Sequence, residues 1–406
     1  MSVANPAELG FSAERLSRID AHLKGKYLDT GRFPHAALLI GRGEEIAHLS
    51  VQGEAAPGTP LQEDAIFRIA SMTKPVTSIA IMQLVEQGLI ALSDPVARYI
   101  PEFADLGVFV SGGGNQPFMT RSPARPMQVI DLLRHTSGLT YSFQERSPVD
   151  AAYRKTDLEH WNNNDNGEFL AKLASIPLEF DPGSSWNYSV SCDVLGIIIS
   201  RLSGLTLGDY FRQRIFAPIG MEDTCFHVPA DKAHRLPIAY AFDPKDRKKP
   251  VDAAGSESQW AKGFRFESGG GGLASTLKDY HLFCRMLLNQ GSLDGERIIA
   301  RKTLDLMTAN HLPGGGDLTR HSKSLFSEAE NAGVGFGLGF ATTMQPELTM
   351  VPGSSGDIYW GGMYSTAFFV DPVEEIIMVF MTQLMPSSAY PVRREIRTML
   401  YAALED

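Results

Sequence analysis

The stretch SMTKPVTSIAIMQLVEQGLI (71–90) decides the fold. Between Val76 and Val85 its apolar residues lie on nearly every side of a helix, which is typical of a buried helix and not of a surface one. Pro75 suits the first turn of this helix, and Gly88 suits its end. The sequence therefore predicts a central helix over 73–90, with the other elements packed around it.

The two ends of the chain predict one antiparallel sheet. A helix over 12–25, with Ser12 as its N-cap, comes before two apolar runs, 35–41 and 44–53, that a short glycine-containing turn separates. Helices from both chain ends would cover one face of this sheet, which is an α/β (α+β) architecture. The C-terminal elements predicted for it are strands over 335–344, 357–370 and 374–384 and a closing helix over 391–404.

The middle of the chain predicts mostly helices joined by long loops. We therefore expect a discontinuous sheet domain formed by residues 1–90 and 265–406, and a helical domain formed by residues 91–264. The segments behind this prediction are helical patterns over 126–134, 168–175 and 192–216 and Gly- and Asn-rich loops over 111–117 and 160–167.

Composition and charge restrict the expected partners. The chain has 406 residues, of which 43% are hydrophobic and 21% charged, and its formal net charge is −10. An acidic surface repels phosphate, so neither nucleic acid nor an anionic membrane is expected as a partner. The sequence has no apolar run of about 18 residues, and its N-terminus does not resemble a signal peptide. We therefore expect a cytoplasmic protein.

The cysteines and histidines do not predict a metal site. Cys192, Cys225 and Cys284 are widely spaced and form no CxxC pair, so reduced thiols are predicted and not a disulfide framework. The HExxH pattern and paired HxxxH are absent as well. Neither a metal ion nor an organic cofactor is therefore expected.

Ser71 and Lys74 are the first candidates for catalysis. Residues three apart on a helix lie on the same face, one turn from each other. A serine hydroxyl becomes a nucleophile when a base takes its proton, and a lysine amine can be that base when burial disfavours its charged form. The alternative is a capping serine with a surface lysine. Ser275 and Lys278 repeat the spacing, but Ser275 or Thr276 is interpreted as the N-cap of a following helix.

Two further segments carry candidate residues. Tyr188 precedes a long apolar helix, and its phenol could relay a proton beside a lysine; the alternative is a ring that packs under that helix. Gly361 and Gly362 interrupt the predicted strand 357–370, which indicates close approach of another backbone or a ligand, with a β-bulge as the alternative. A strand N–H at this point could supply the second donor of an oxyanion hole.

Together these motifs resemble the serine β-lactamase and penicillin-binding protein superfamily, in its class C-like branch, and most closely the family VIII carboxylesterases. The order Ser71-x-x-Lys74, Tyr188 and Gly361-Gly362 carries the resemblance. It extends over roughly residues 10–400 and implies a β-lactamase-like fold. It also includes the segments LLRHTSGL (132–139), PGSSWNYS (182–189), GGGLAST (270–276) and FVDP (369–372).

The sequence departs from the lactamase pattern at two places. Val190 stands where those enzymes have the asparagine of Tyr-x-Asn, and Trp360 stands where they have the lysine of Lys-Thr-Gly. The resemblance implies that the missing asparagine would have bound a substrate amide and the missing cation a β-lactam carboxylate. An apolar indole at that position favours a neutral ester, and the family VIII esterases share Trp-Gly-Gly.

The resemblance therefore implies a serine carboxylesterase (EC 3.1.1.-) that takes a small-molecule ester and forms an acyl-enzyme on Ser71. Lys74 and Tyr188 would move the proton between Ser71 and the leaving alcohol. The N–H groups of Ser71 and Met363 would hold the oxyanion, and no cofactor would take part. The candidate substrate contacts are Tyr141, Trp360, Gly361 and Gly362.

Several alternatives stay open on the sequence. Acyl transfer to an alcohol, as in similar fungal acyltransferases, would use the same residues, and so would a weak β-lactamase or a D-amino acid amidase. Outside the enzymes, the same fold serves as a penicillin-binding or ligand-sensing module. Other constellations are absent, since the chain has no GxSxG and its glycine runs lack the GK[ST] of a P-loop. His135 is interpreted as structural, and the oligomeric state is left open.

Overall fold

The computed structural model describes residues 1–323 and 332–405. An eight-stranded antiparallel sheet contains the strands β1 His35–Arg42, β2 Glu45–Ala56, β3 Thr59–Pro60, β4 Val334–Phe336, β5 Ala341–Thr343, β6 Ile358–Gly361, β7 Ala367–Asp371 and β8 Ile376–Met381. Their order in the sheet is β4-β5-β6-β7-β8-β1-β2-β3. The two ends of the chain therefore meet where β8 pairs with β1, which confirms the predicted sheet.

Strand β1 shows why the strands of this sheet have continuous apolar runs in the sequence. Ala37 and Leu39 pack into the core around the central helix, whereas Leu38 and Ile40 pack against helices from the chain ends. Successive side chains of a strand point to opposite faces of the sheet. A strand that is covered on both faces therefore needs apolar residues at every position.

Two helices from the chain ends cover one face of the sheet, as predicted. The N-terminal helix Ala13–His22 begins after Ser12, whose Oγ accepts a hydrogen bond from the backbone N–H of Arg15 at 3.4 Å. It lies beside the C-terminal helix Val392–Tyr401, and both share one core cluster with β1 and β8.

The central helix, Thr73–Glu86, is buried from Thr73 to Leu84. It packs against the helix Ser191–Ser203, called here the Asp193 helix. The prediction of a buried central helix is therefore confirmed, and the helix ends at Glu86, two residues before Gly88 with its φ of +71°.

Most of the remaining elements are shorter than these helices. The other α-helices are Val129–Leu133, Pro148–Lys155, Asn166–Ala174, Leu207–Phe211, Gln259–Lys262, Leu277–Leu288, Arg301–Thr308, Leu318–His321 and Pro346–Thr349. The other strands are Phe67–Arg68, Val108–Gly113, Gln116–Arg121, Ala239–Asp243, Arg247–Asp252, Ala274–Ser275, Ser292–Leu293, Glu296–Arg297 and Leu384–Met385.

The prediction of one strand over 357–370 is wrong. The chain forms β6, turns over residues 362–366 and returns as β7, its antiparallel neighbour. Apolar residues on both sides of the turn continue the strand pattern, so the sequence does not reveal the reversal. The predicted strand 335–344 is likewise divided into β4 and β5, which pair with each other.

Two predictions in the middle of the chain need correction. Residues 111–117 are not a loop, because Val108–Gly113 pairs with Gln116–Arg121 in an irregular hairpin whose glycines adopt positive φ. The predicted helix 192–216 is interrupted at Gly204, whose φ of +72° is left-handed and ends the Asp193 helix.

Three further expectations concern the domain division, the cysteines and membrane-spanning helices. The division into a sheet domain and a helical domain at residues 90/91 and 264/265 stays a prediction. One core cluster contains residues of β1, of the central helix and of the Asp193 helix. The three cysteines carry free thiols. Over residues 1–323 and 332–405, no single helix is long and apolar enough to cross a bilayer; one pair, Ser191–Ser203 with Leu207–Phe216, reaches that length only together and is bent by 77°.

Candidate active site

Ser71 stands at the entrance of the central helix, directly after a strained residue. A short 3-10 turn, Ala70–Met72, leads into Thr73–Glu86. Ala70 has a φ of +44°, in the left-handed region that costs a non-glycine residue about 1–2 kcal/mol. Strain of this kind persists where the surrounding structure fixes it and is common at functional sites, so it marks the neighbourhood of Ser71.

The Lys74 side chain is held between Ser71 and a glycine loop. Lys74 Nζ lies 3.1 Å from Ser71 Oγ and donates a hydrogen bond to the carbonyl oxygen of Gly270 at 2.6 Å. Only 1% of Lys74 is exposed, and Nζ lies 4.5 Å from the ring centroid of Tyr188 and 5.3 Å from that of Tyr141. Around this nitrogen, water is therefore largely replaced by a hydroxyl, a carbonyl and two aromatic faces.

Tyr188 lies in the loop before the Asp193 helix, and its ring covers Lys74 Nζ. Its hydroxyl accepts a hydrogen bond from Trp360 Nε1 at 3.4 Å. Its buried ring packs against His135 and Tyr141, at centroid distances of 5.1 and 5.2 Å. The structure thus brings Trp360 into contact with Tyr188, although the two are far apart in sequence, and Tyr188 in turn contacts Lys74.

The Gly361-Gly362 pair exists because two other groups occupy the side-chain positions. A Cβ at Gly362 would lie 2.3 Å from the carbonyl oxygen of Ile69, and a Cβ at Gly361 would lie 2.5 Å from Arg393 Cζ. Ile69 comes two residues before Ser71, so the turn after β6 packs against the chain that carries Ser71. The predicted close approach of another backbone is confirmed, and the β-bulge alternative is wrong.

The second Ser-x-x-Lys lies in a structural setting. Ser275 is buried, and its Oγ is 2.7 Å from that of Thr224, whereas Lys278 is exposed. Thr276, and not Ser275, caps the helix Leu277–Leu288 through a hydrogen bond from the backbone N–H of Asp279. This motif therefore lacks a serine and a lysine in contact.

Asp193 is a site residue that the sequence analysis missed. Its carboxylate is buried and accepts hydrogen bonds from Ser268 Oγ at 2.5 Å and from the backbone N–H of Gly270 at 3.1 Å. Burial raises the pKa of Asp193, while the hydrogen bond from Ser268 and the charge of Lys74 oppose the rise. Because Gly270 is also the residue whose carbonyl binds Lys74, Asp193 fixes the loop that holds the lysine. A lone acid at the start of an apolar helix was the available signal.

His135 and Tyr141 stay neutral beside these charges. Burial holds the pKa of His135 well below its usual range, and the charge of Lys74 adds to this effect. His135 Nδ1 lies 3.2 Å from Ser189 Oγ, in agreement with the predicted structural role. Burial also raises the pKa of Tyr141 well above its usual range, and nearby Asp193 adds to the shift.

The remaining predicted residue, Met363, follows Gly362 in the turn after β6, and its side chain is 37% exposed. Among the residues that the structure describes, no group of three His, Cys, Asp or Glu side chains could hold a metal ion.

Glu159 is a second acid near Lys74 that sequence reasoning did not single out. Its Oε1 accepts a hydrogen bond from the backbone N–H of Ser142 at 2.6 Å. Burial raises the pKa of Glu159 from 4.5 to about 7; that hydrogen bond and the charge of Lys74 oppose the rise, and nearby Asp193 adds to it. Between these two values the folded chain keeps a proton that the unfolded chain releases. The free energy of unfolding therefore falls as the pH rises through this window.

We expect Glu159→Gln to raise the melting temperature by a few degrees at pH 8 and to leave it nearly unchanged at pH 5. The amide keeps the acceptor for Ser142 but carries no charge to bury. Thermal melts of wild type and variant across this pH range test the expectation. Glu145→Gln, at an exposed position, is the matched control. Melting curves of Glu159→Gln that parallel those of wild type at every pH would contradict it.

Comparisons with known proteins agree with this fold. The Beta-lactamase family model matches residues 20–403. Protein Rv1367c of Mycobacterium tuberculosis is 35% identical over 88% of this chain and 88% of its own length. Esterase EstB of Burkholderia gladioli is 29% identical over 99% of this chain and 100% of its own. The solved structure of EstCE1, a hydrolase with promiscuous acyltransferase activity, superposes with a TM-score of 0.78 at 23% identity, over 96% of this chain and 99% of that one.

The chain belongs to the Beta-lactamase family. It has the β-lactamase-like fold that the sequence predicts, and it is a serine hydrolase by class.

Proposed function

We propose that the chain is a carboxylesterase that hydrolyses neutral esters of short to medium acyl chains through an acyl-enzyme on Ser71. The observation that carries the proposal is the 3.1 Å distance between Lys74 Nζ and Ser71 Oγ, in surroundings from which water is largely excluded. The esterase name of EstB supports the same reaction class.

In the acylation step, Ser71 Oγ forms a bond to the ester carbonyl carbon while its proton passes to the Lys74–Tyr188 pair. The C=O electron pair moves onto oxygen, and the N–H groups of Ser71 and Met363 stabilise that oxyanion. The oxyanion electron pair then re-forms the C=O bond as the bond to the alcohol oxygen breaks, and this oxygen takes the proton from the pair. An acyl-enzyme on Ser71 and a free alcohol result.

Deacylation repeats these steps with water. The pair takes a proton from water as the hydroxide oxygen attacks the acyl carbon, and the bond to Ser71 Oγ breaks as Oγ recovers a proton. An alcohol in place of water would give acyl transfer, the second activity named for EstCE1. Adding an alcohol to the assay and measuring the new ester separates the two outcomes.

The charges around Lys74 support a neutral substrate. Asp193 and Glu159 are both acids within electrostatic range of Lys74. Trp360 places an indole where a lactamase-like site would need a cation for the substrate carboxylate. A carboxylate desolvated here without a partner would cost several kcal/mol.

We therefore expect benzylpenicillin to be hydrolysed with a kcat/KM at least about 100-fold below that of p-nitrophenyl butyrate, since a loss of about 3 kcal/mol corresponds to this ratio. Steady-state assays with a short and a long p-nitrophenyl ester beside a chromogenic cephalosporin give the comparison. Slow opening of the cephalosporin agrees with the proposal, because the acylating residues are shared. Equal kcat/KM values for the penicillin and the butyrate would contradict it.

A further inference from the structure

The turn over residues 362–366 sets the position of the proposed second oxyanion donor. The backbone N–H of Gly362 donates to the carbonyl oxygen of Thr366 at 2.9 Å, and that of Ser365 donates to the carbonyl oxygen of Gly362 at 3.1 Å. The turn meets the Ser71 segment where Thr366 Oγ1 donates to the carbonyl oxygen of Ile69 at 3.4 Å. A change in this turn would therefore move the donor relative to Ser71.

Arg393, from the C-terminal helix, holds both ends of this turn. Its Nη2 donates to the carbonyl oxygen of Gly362 at 2.6 Å and to that of Thr366 at 2.8 Å. The guanidinium occupies the space that a side chain at Gly361 would need. Hydrogen bonds from a charged donor are about twice as strong as neutral ones, so this contact fixes the turn more firmly than its backbone bonds alone.

The Gly362 carbonyl and the Met363 N–H belong to one peptide unit. That unit is trans, because the only cis peptide bond in the described residues precedes Pro386. In a trans peptide the C=O and N–H vectors point in opposite directions. When Arg393 fixes the direction of the Gly362 carbonyl, it therefore also fixes the direction of the Met363 N–H, which points away from the guanidinium.

We infer that Arg393 is a positioning residue that aims the Met363 N–H at the oxyanion. The inference rests on the proposed function, because it needs an oxyanion at this place. In this role Arg393 does not touch the substrate; it acts through the peptide between Gly362 and Met363. The oxyanion forms only along the reaction, so a misaimed donor lowers kcat and leaves KM largely unchanged.

The experiment compares Arg393→Met, Arg393→Lys and Arg397→Met with wild type in the hydrolysis of p-nitrophenyl butyrate. Arg393→Met removes every donor, and we expect kcat to fall about 10–100-fold with KM within about twofold, since loss of one oxyanion donor costs about 10²–10³ in kcat. Arg393→Lys keeps a charged donor that can reach one carbonyl at a time, so kcat should recover in part. If Arg393→Met does not fold, an intermediate kcat of the lysine variant still carries the test.

Arg397 is the matched control, one turn further along the same helix. Its guanidinium pairs with Asp357, donates to the carbonyl oxygen of Pro352 and lies 5.1 Å from the centroid of the Phe369 ring, and these partners all lie outside the 362–366 turn. Arg397→Met should lower the melting temperature while kcat stays near that of wild type. An equal loss of kcat in Arg397→Met and Arg393→Met would overturn the inference, because general destabilisation would then explain both.

The outcomes separate this inference from the proposed function. A wild-type protein that does not hydrolyse the ester, or one whose activity survives loss of Ser71, overturns both. An active wild type with unchanged kcat in Arg393→Met and Arg393→Lys, or a change in KM alone, overturns only the role of Arg393.

Discussion

Ser71→Ala is expected to lose ester hydrolysis by about 10³-fold or more in kcat, as for other nucleophile deletions. The hydroxyl of Ser71 lies 3.1 Å from the Nζ of the buried Lys74, at the start of the central helix. Removing one oxygen from a side chain that is 9% exposed creates little space, so the variant should fold. Steady-state rates with p-nitrophenyl butyrate, with circular dichroism as a check on folding, make the measurement.

Ser275→Ala is the matched control, because it removes the serine of the second Ser-x-x-Lys. Its hydroxyl is bonded to that of Thr224, so the change should cost about 1 kcal/mol of stability and leave activity largely intact. If Ser71→Ala keeps most of its activity, or if Ser275→Ala loses as much, the nucleophile has been assigned wrongly.

The sequence predicts the proximity of Ser71 and Lys74 because one helical turn fixes their relative position. Residues at positions i and i+3 share a face whatever the rest of the molecule does, and the apolar residues that follow place this helix inside. Tyr188 is different, since periodicity says nothing about where a loop tyrosine lies. Its place beside Lys74 was implied by the family resemblance alone.

Asp193 and Arg393 could not be predicted because their contacts join distant parts of the chain. Arg393 is 31 residues from Gly362 and Asp193 is 77 residues from Gly270. In the sequence, Arg393 is one of three arginines in the closing helix, with Arg394 and Arg397, and nothing in their spacing distinguishes it. Gly361 carries a local signal for Arg393, since it marks a place where another group fills the side-chain position.

The reversal between β6 and β7 shows the limit of strand periodicity. The segment DIYWGGMYSTAFFV (357–370) keeps apolar and aromatic residues on both sides of the turn, because both strands are central in the sheet. The sequence interprets the Gly-Gly pair as an interruption of one strand; the close approach of another backbone is confirmed, whereas the oxyanion donor at this place stays a prediction. A turn at this point is what brings Gly362 against Ile69 and so near Ser71.

Lys74→Arg is expected to reduce kcat about 10³-fold, because a guanidinium cannot release its proton at working pH and so cannot accept one from Ser71. The variant separates proton transfer from charge, since arginine keeps a cation that can still donate to the Gly270 carbonyl. Tyr188→Phe removes the hydroxyl that Trp360 contacts and should also lose most activity while the ring still packs.

Lys278→Arg is the control for this change, at the exposed lysine of the second motif, and its rates should match those of wild type. Lys74 is 1% exposed, so melting temperatures are needed to show that the larger guanidinium is accommodated. Lys74→Met, which is smaller and uncharged, serves as the second variant and should be equally inactive.

If Lys74→Arg hydrolyses the ester within about tenfold of wild type, the lysine acts only as a structural cation. Another base must then accept the proton of Ser71, and His135 would be the next side chain to test. Its Nδ1 contacts Ser189, however, and its neutral ring packs against Tyr188.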